Sequence, residues 1–499
     1  MAANLQHVAE LKISRLLLAA LLLIIAVGAG LRLSALDGDS LWLDEAYSVS
    51  FAHESPSGII ETTSQDVHPP LYYFALHYWQ KLFGDSERSV RMLSALFGIL
   101  AIFVTYKVAV HLFDRSTGLL AAGLLALSRF HLEFSQEARM YSLLCLLSVL
   151  SIYFFIRLME DKSRWALIGY IVASALMMYT HVYSFFILAA ENIYWLTLLF
   201  AARDTFRRVW VRWLVAQIVL AVLFLPWLSV QAQQFSRVQQ GFWIPKLPPR
   251  LLLYTLTMYS GSTQLAWILA PLIALAVLAG WQGWKRRVGA QPLVDESGEG
   301  VRASRWKLYL LLLWLLCPIM LPYIVSQFSS PIFLPKYTIA ALPAFVILAS
   351  RGFLSLRFHQ LRMIVALLLL CFSVVVLKNY FSSYKKDLWR EAVAGLSVLA
   401  KPNDLVLFND QSGQVPFQYY NKRNDLVEKP FPDYHTKLDE GNLAERLKGA
   451  IEGHDRVWLV ISHPNELSPL IPQQLARWYP SATHLTYPGV EMYLFEKTD

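Results

Sequence analysis

Of the 499 residues, 56% are hydrophobic and only 16% are charged, and the mean hydropathy is +0.41. Those values exclude an ordinary soluble globular chain and describe a polytopic α-helical membrane protein. The net charge of +8 does not mark a nucleic-acid binder, because the basic residues lie mostly in short loops between apolar runs, where the positive-inside bias puts them.

Lys12 and Arg15 introduce the first apolar run, 14–36, which is long enough to span and shows no small-residue cleavage site. It reads as an uncleaved first helix. Further runs of spanning length follow at 92–113, 140–158, 165–183, 184–201, 210–229, 264–283, 307–327, 337–355 and 362–380, with a shorter one, GLLAAGLLALSRF, at 118–130. Keeping the shorter run gives eleven spans and sorts the loops cleanly by charge. Loops near 114–116, 157–164, 203–212, 285–307 and 351–362 are rich in Arg and Lys and should be cytoplasmic. The loops at 37–88, 131–139, 230–263 and 328–336, and everything after 381, then face outward. Cys145, Cys317 and Cys371 all sit inside apolar runs, so no disulfide framework or CxxC zinc site is legible.

The first outward loop, 37–88, is rich in acids, with seven between Asp37 and Asp66 alone. Within it PPLYYFALHYWQKLFG, 69–84, is short for a span, and counting it as one would invert every later loop. It reads as an interfacial helix on the outer face. From about 385 the chain changes character. LVLFND (405–410), RVWLVIS (456–462) and EMYLFEK (491–497) read as strands, and WREAVAGLSVLA (389–400) and LIPQQLARWY (470–479) as helices. The expected organisation is a membrane domain, 1–384, with 37–88 as its catalytic loop, and an extracytoplasmic α/β domain, 385–499. No nucleotide loop and no internal repeat is present in the sequence.

Ionisable residues recur on the outward side. Asp44 and Glu45 follow the first span in LWLDEAYS; acids at a helix start also favour the helix dipole. Asp66 and His68 precede Pro69–Pro70, which fix an extended lead into the interfacial helix. Glu137 and Arg139 lie in FSQEARMY, where they could pair with one another, and Lys336 and Tyr337 lie in PIFLPKYTIAALP, a placement typical of interface anchors. Charge inside a bilayer is unfavourable by about 2.5–3.5 kcal/mol on insertion scales, so such a collection on one face suggests a single outward pocket. A carboxylate can take a proton from a hydroxyl, and Arg and Lys can hold a phosphate as it leaves. Divalent-metal dependence stays open: Asp44, Glu45, Asp66, His68 and Glu137 offer suitable donor atoms, but no spacing demands a metal.

LWLDEAYS, DVHPPLYY, SQEARMYSL and the KY…LP pattern resemble polyprenyl-phosphate-sugar-dependent glycosyltransferases of the C-type fold, in particular bacterial members of the protein O-mannosyltransferase and aminoarabinose-transferase superfamily. The resemblance implies transfer of a sugar from a polyprenyl-phosphate, such as undecaprenyl phosphate, to a hydroxyl of a lipid, glycan or protein at the outer side of a bacterial inner membrane. It implies Asp44 as general base and Glu45 as its partner. Asp66 and His68 would line the cavity, Glu137 and Arg139 would be a second acid and a phosphate or loop clamp, and Lys336 and Tyr337 would lie near the lipid phosphate. Aminoarabinose-transferase members carry Lys where this chain has His68, which argues against the aminoarabinose donor. Single displacement with inversion is expected, because adjacent helical residues point about 100° apart and do not flank one sugar as a retaining pair would. A lipid or solute transporter with an outward charged cavity is the alternative, though transporters favour inverted repeats and midplane sites.

Overall fold

The computed structural model describes residues 2–160, 163–240, 244, 248–288, 300–383, 386–432 and 438–497, with side chains omitted at 2–14 and 281–304. The middle of the expected cytoplasmic loop 285–307 thus lies outside the described residues. The helices are α1 Ala2–Leu33, α2 Leu43–His53, α3 Pro56–Gln65, α4 Leu71–Phe83, α5 Glu87–Leu112, α6 Arg115–Leu127, α7 Arg129–Ser135, α8 Tyr141–Glu160, α9 Arg164–Met178, α10 Ser184–Ala201, α11 Arg203–Gln240, α12 Arg250–Ser260, α13 Thr263–Val288 and α14 Gly300–Phe328. A 3-10 helix, Pro335–Ala341, leads into α15 Leu342–Leu354, and α16 His359–Ser382 follows.

Every apolar run expected to span is helical. Among the described residues nine helices are long and apolar enough to cross a membrane, which makes the chain a multi-pass membrane protein. The count of eleven is not reached. The runs at 118–130 and 165–183 correspond to α6, of 13 residues, and α9, of 15. At 1.5 Å per residue those helices are roughly 20 and 22 Å long, short of a hydrocarbon core of about 30 Å. The segment 69–84 forms the separate helix α4, as expected.

Contacts divide the chain into two compact units: residues 1–34, 55–82 and 90–382 form one, and residues 35–54, 83–89 and 383–499 the other.

In the first unit, α8 and the segment 335–354 are the buried centre, whereas α1 and α16 keep most of their surface outward. Met363, Ile364, Leu367, Leu370, Val374 and Val375 of α16 are all exposed. An apolar face of that size suits lipid and would be a liability in water. Helices α13 and α15 meet at Gly352, where a Cβ would fall 1.7 Å from the Leu272 carbonyl oxygen. Buried Arg32 donates to the carbonyls of Gly28, Leu125 and Ala126 and lies 2.7 Å from His131 Nδ1, tying the end of α1 to α6 and α7.

The second unit contains a five-stranded sheet of order β2-β1-β3-β5-β4, with β1 Leu405–Phe408, β2 Val427–Pro430, β3 Arg456–Ile461, β4 Ser481–Tyr487 and β5 Val490–Glu496. β1 runs parallel to β2 and β3, and β5 antiparallel to β3 and β4. Strand alternation sends Leu405, Leu407, Val457, Leu459 and Phe495 to one face, under α19 Leu443–Ile451 and α20 Leu470–Leu475. Val406, Phe408, Trp458, Val460, Met492 and Leu494 go to the other, under α17 Trp389–Leu399 and α18 Gln414–Tyr420. The expected strands and helices are all present, with α20 ending at Leu475.

Candidate active site

The second unit holds the two acids after the first span. Asp44 and Glu45 lie in the first turn of α2. Glu45 is fully buried; its Oε2 accepts from Lys386 Nζ at 2.8 Å and reaches back to the Trp42 amide at 3.5 Å, the reach of a capping box. Asp44, one residue earlier, is half-buried. The chain leading into α2 is held by the C-terminal segment. The Leu41 amide donates to Tyr420 Oη at 2.6 Å, Ser40 Oγ donates to Glu391 Oε2 at 2.9 Å, and the Arg390 guanidinium bonds the Asp37 carbonyl and Glu87. Tyr420 also bonds Glu87.

In the first unit the remaining expected residues come from segments far apart in sequence. His68, before the paired prolines, is buried. The residue after those prolines, Leu71, donates its amide to the Tyr179 carbonyl at 3.0 Å. That bond joins the start of α4 to the five-residue turn 179–183 between α9 and α10, and sets the His68 ring 5.0 Å from His181, centroid to centroid. Tyr183 Oη donates to the Ile332 carbonyl at 2.9 Å, linking the same turn to the approach to the 3-10 helix.

That 3-10 helix carries Lys336 and Tyr337. Pro335 opens it, and Pro343 lacks the amide hydrogen that a continuous α-helix would use at that point. Its carbonyls find other partners: Tyr259 Oη donates to Thr338 O at 2.6 Å, and Trp314 Nε1 and Ser148 Oγ donate to Ala340 O at 2.8 and 3.1 Å. Tyr337 thereby lies 4.9 Å from His181, 5.4 Å from Tyr183, 6.1 Å from His68 and 6.1 Å from Tyr141, between ring centroids. Lys336 Nζ is 5.6 Å from the centre of the Tyr141 ring and 5.8 Å from that of Tyr337, within cation–π range.

Arg139 is buried. Ser94 Oγ donates to its carbonyl at 3.1 Å and lies 2.8 Å from Tyr72 Oη, and the guanidinium reaches Tyr73 Oη at 3.5 Å. Gln136, three residues earlier, donates to the carbonyls of Leu31, Arg32 and Ser34 at the end of α1, and accepts from Tyr380 Oη at 2.8 Å. The motif SQEAR is thus pinned on both sides. Glu137 is buried two residues before Arg139, and half-buried Asp66 caps the end of α3.

Burial and nearby cations set the electrostatics of the two histidines. Burial, then the charges of Arg139, His181 and Lys336, holds His68 well below its ordinary imidazole value. Burial, then Arg139 and Lys336, lowers His181 to about 3. Both rings are therefore neutral at physiological pH. The Tyr183 amide donates to His181 Nδ1 at 3.1 Å, so the ring proton resides on Nε2. His181 Nε2 and His68 Nδ1 have no hydrogen-bond partner among the described residues. Neutral ring nitrogens beside the Arg139 and Lys336 side chains offer chemistry that suits an anion.

The structure therefore gathers His68, Arg139, Lys336 and Tyr337, and adds Tyr141, His181 and Tyr183. His181 escaped the sequence reading because the apolar runs 165–183 and 184–201 abut. The available signal was THVYS, a polar break whose position in the alternation of loops is outward. Among the described residues no group of three or more His, Cys, Asp and Glu side chains is placed to hold a metal ion.

Residues 67–229 match the model of the family described as dolichyl-phosphate-mannose-protein mannosyltransferase. The solved structures similar to this chain include ArnT from Cupriavidus metallidurans bound to undecaprenyl phosphate, with a TM-score of 0.60 at 13% identity over 95% of this chain and 97% of that one. The chain has the C-type glycosyltransferase fold. The oligosaccharyltransferase of Archaeoglobus fulgidus, in complex with zinc and sulfate, is similar to this C-type chain with a TM-score of 0.56 at 13% identity, over 94% of this chain and 73% of that one. No curated protein sequence matches it.

Proposed function

We propose that this protein is a glycosyltransferase that moves a sugar from a polyprenyl-phosphate donor to a hydroxyl acceptor on the outer side of a bacterial inner membrane, with inversion at the anomeric carbon. The observation that carries the reading is the meeting of Lys336 and Arg139 around the His68–His181–Tyr337 rings. It is a cation-rich, largely buried setting of the kind that holds a phosphate and stabilises it as it departs. The similarity to an undecaprenyl-phosphate-bound fold supports the lipid-linked donor.

In this reading the acceptor oxygen attacks the anomeric carbon while Asp44 removes its proton. The bond from that carbon to the phosphate oxygen breaks, and the electron pair stays on the phosphate, which needs no separate acid. Asp66, Glu137 and Tyr337 line the donor or acceptor path. The α/β domain that begins near residue 385 is extracytoplasmic in this reading. The test is Asp44→Asn in proteoliposomes supplied with a polyprenyl-phosphate sugar. Transfer should fall by about a thousandfold or more while donor binding persists, at the upper end of what a lost general base removes. Undiminished transfer at normal expression would exclude Asp44 as the base.

A further inference from the structure

We infer that His181 is a hydrogen-bond donor to the phosphate of the lipid-linked substrate. The inference rests on the proposed function in placing that phosphate at the Arg139–Lys336 cluster, and it adds a ligand contact from a turn that carries no charged residue.

His181 is wholly buried in the turn 179–183, with its two nitrogens in different situations. Nδ1 accepts the Tyr183 amide at 3.1 Å, which fixes the ring's orientation and its tautomer. Nε2 carries the proton and meets no acceptor among the described residues. A buried N–H without an acceptor is rare in a finished structure, because the group gives up its hydration for nothing. The first role is local to the turn and would be served by any side-chain acceptor reaching Tyr183. The second has no local purpose. The neighbours say which ligand suits it. Lys336 and Arg139 repel a cation, and both act electrostatically on this ring. His68, 5.0 Å away, and Tyr337, 4.9 Å away, confine the space. An oxygen that accepts but does not donate, beside two positive groups, is the complement, and a phosphate oxygen is such an atom. The imidazole stays neutral throughout: it donates a hydrogen bond and transfers no proton.

Two substitutions separate the nitrogens. His181→Asn retains an acceptor near Nδ1 and loses the donor at Nε2, whereas His181→Gln retains a donor near Nε2 and loses the acceptor. Both are measured for undecaprenyl phosphate binding and thermal unfolding in nanodiscs, with inorganic phosphate and phosphatidylglycerol as further probes. The Asn variant should unfold at the wild-type temperature yet bind undecaprenyl phosphate about 10-fold more weakly, in line with one hydrogen bond to a charged group. The Gln variant should keep wild-type affinity within about threefold, with a lower unfolding temperature. Wild-type affinity in the Asn variant, or parallel loss of affinity and stability in both, would overturn the inference. Equal His181-dependent affinity for inorganic phosphate or phosphatidylglycerol would overturn its assignment to a lipid-linked phosphate. Failure of the wild-type protein itself to bind undecaprenyl phosphate would instead count against the proposed donor.

Discussion

Lys386 Nζ stands 2.8 Å from Glu45 Oε2, and the carboxylate it meets is fully buried. The two adjacent acids of α2 are therefore in different circumstances: Glu45 is committed to a helix start and a lysine, while Asp44 is half-buried one residue away. Removing one partner of such a pair leaves a buried charge uncompensated, at about 3 kcal/mol or more. Lys386→Met should lower the unfolding temperature and cut the transfer rate at least 10-fold, with donor binding retained. Lys386→Arg should restore most of the rate. Full activity in the Met variant would show that Glu45 does not need this partner.

Lys336→Met and Arg139→Ala address the donor. Each should raise the donor KM about 10-fold or more, in the range of a charge-assisted phosphate contact, and leave the acceptor KM unchanged. Steady-state kinetics with each substrate varied in turn provide the check. A change confined to the acceptor KM would remove these two residues from the phosphate.

Three buried histidines set a pH response. Burial is the first cause of the depression at His68, His131 and His181, followed by nearby cations: Arg139 and Lys336 for His68 and His181, and Arg32 for His131. An unfolded histidine takes a proton as pH falls below about 6.5, but these folded ones do not. The unfolded state thus binds more protons, and stability rises with pH. The contribution is complete above about pH 6.5 and is lost progressively toward the folded values, about 3 for His181. The unfolding temperature in nanodiscs should drop between pH 7 and pH 5. An unchanged or rising temperature over that range would mean that the rings are charged in the folded protein.

Gly352→Ala tests the packing of α13 on α15. A methyl group there would overlap the Leu272 backbone, which cannot rotate aside. Overpacking of this kind costs about 1–3 kcal/mol, and the variant should unfold earlier. Gly30, around which a Cβ meets nothing within 4 Å, is the control, and Gly30→Ala should have little effect.

The membrane helices were legible because hydrophobicity over twenty residues is a strong, local signal. The lengths of α6 and α9 were less so, since an apolar run does not say where a helix stops. In the α/β unit the buried strands β1, β3 and β5 announced themselves through runs such as LVLF and RVWLVI. β2 is the four-residue edge strand VEKP and β4 the largely exposed SATHLTY. Edge strands carry charges and proline because one side meets water, and so they lack the buried signature. Within the site, charged residues in motifs could be picked from the sequence. Neutral residues such as His181 and Tyr183 could not, since their importance comes from which distant rings they meet. The continuous span expected from Tyr337 onward was also incomplete: two prolines and the Tyr259, Trp314 and Ser148 contacts hold its first turns as a tighter 3-10 helix.

The compact unit that contains the C-terminal sheet also contains residues 35–54 and 83–89. A graft that exchanged this part between related enzymes by cutting only at position 383 would leave Glu45, Ser40 and Leu41 facing an unfamiliar host. A workable chimaera has four junctions more than a simple fusion, because the cassette is discontinuous in the chain: the helix bearing Asp44 travels with the C-terminal sheet, and the stretch between 55 and 82 stays behind.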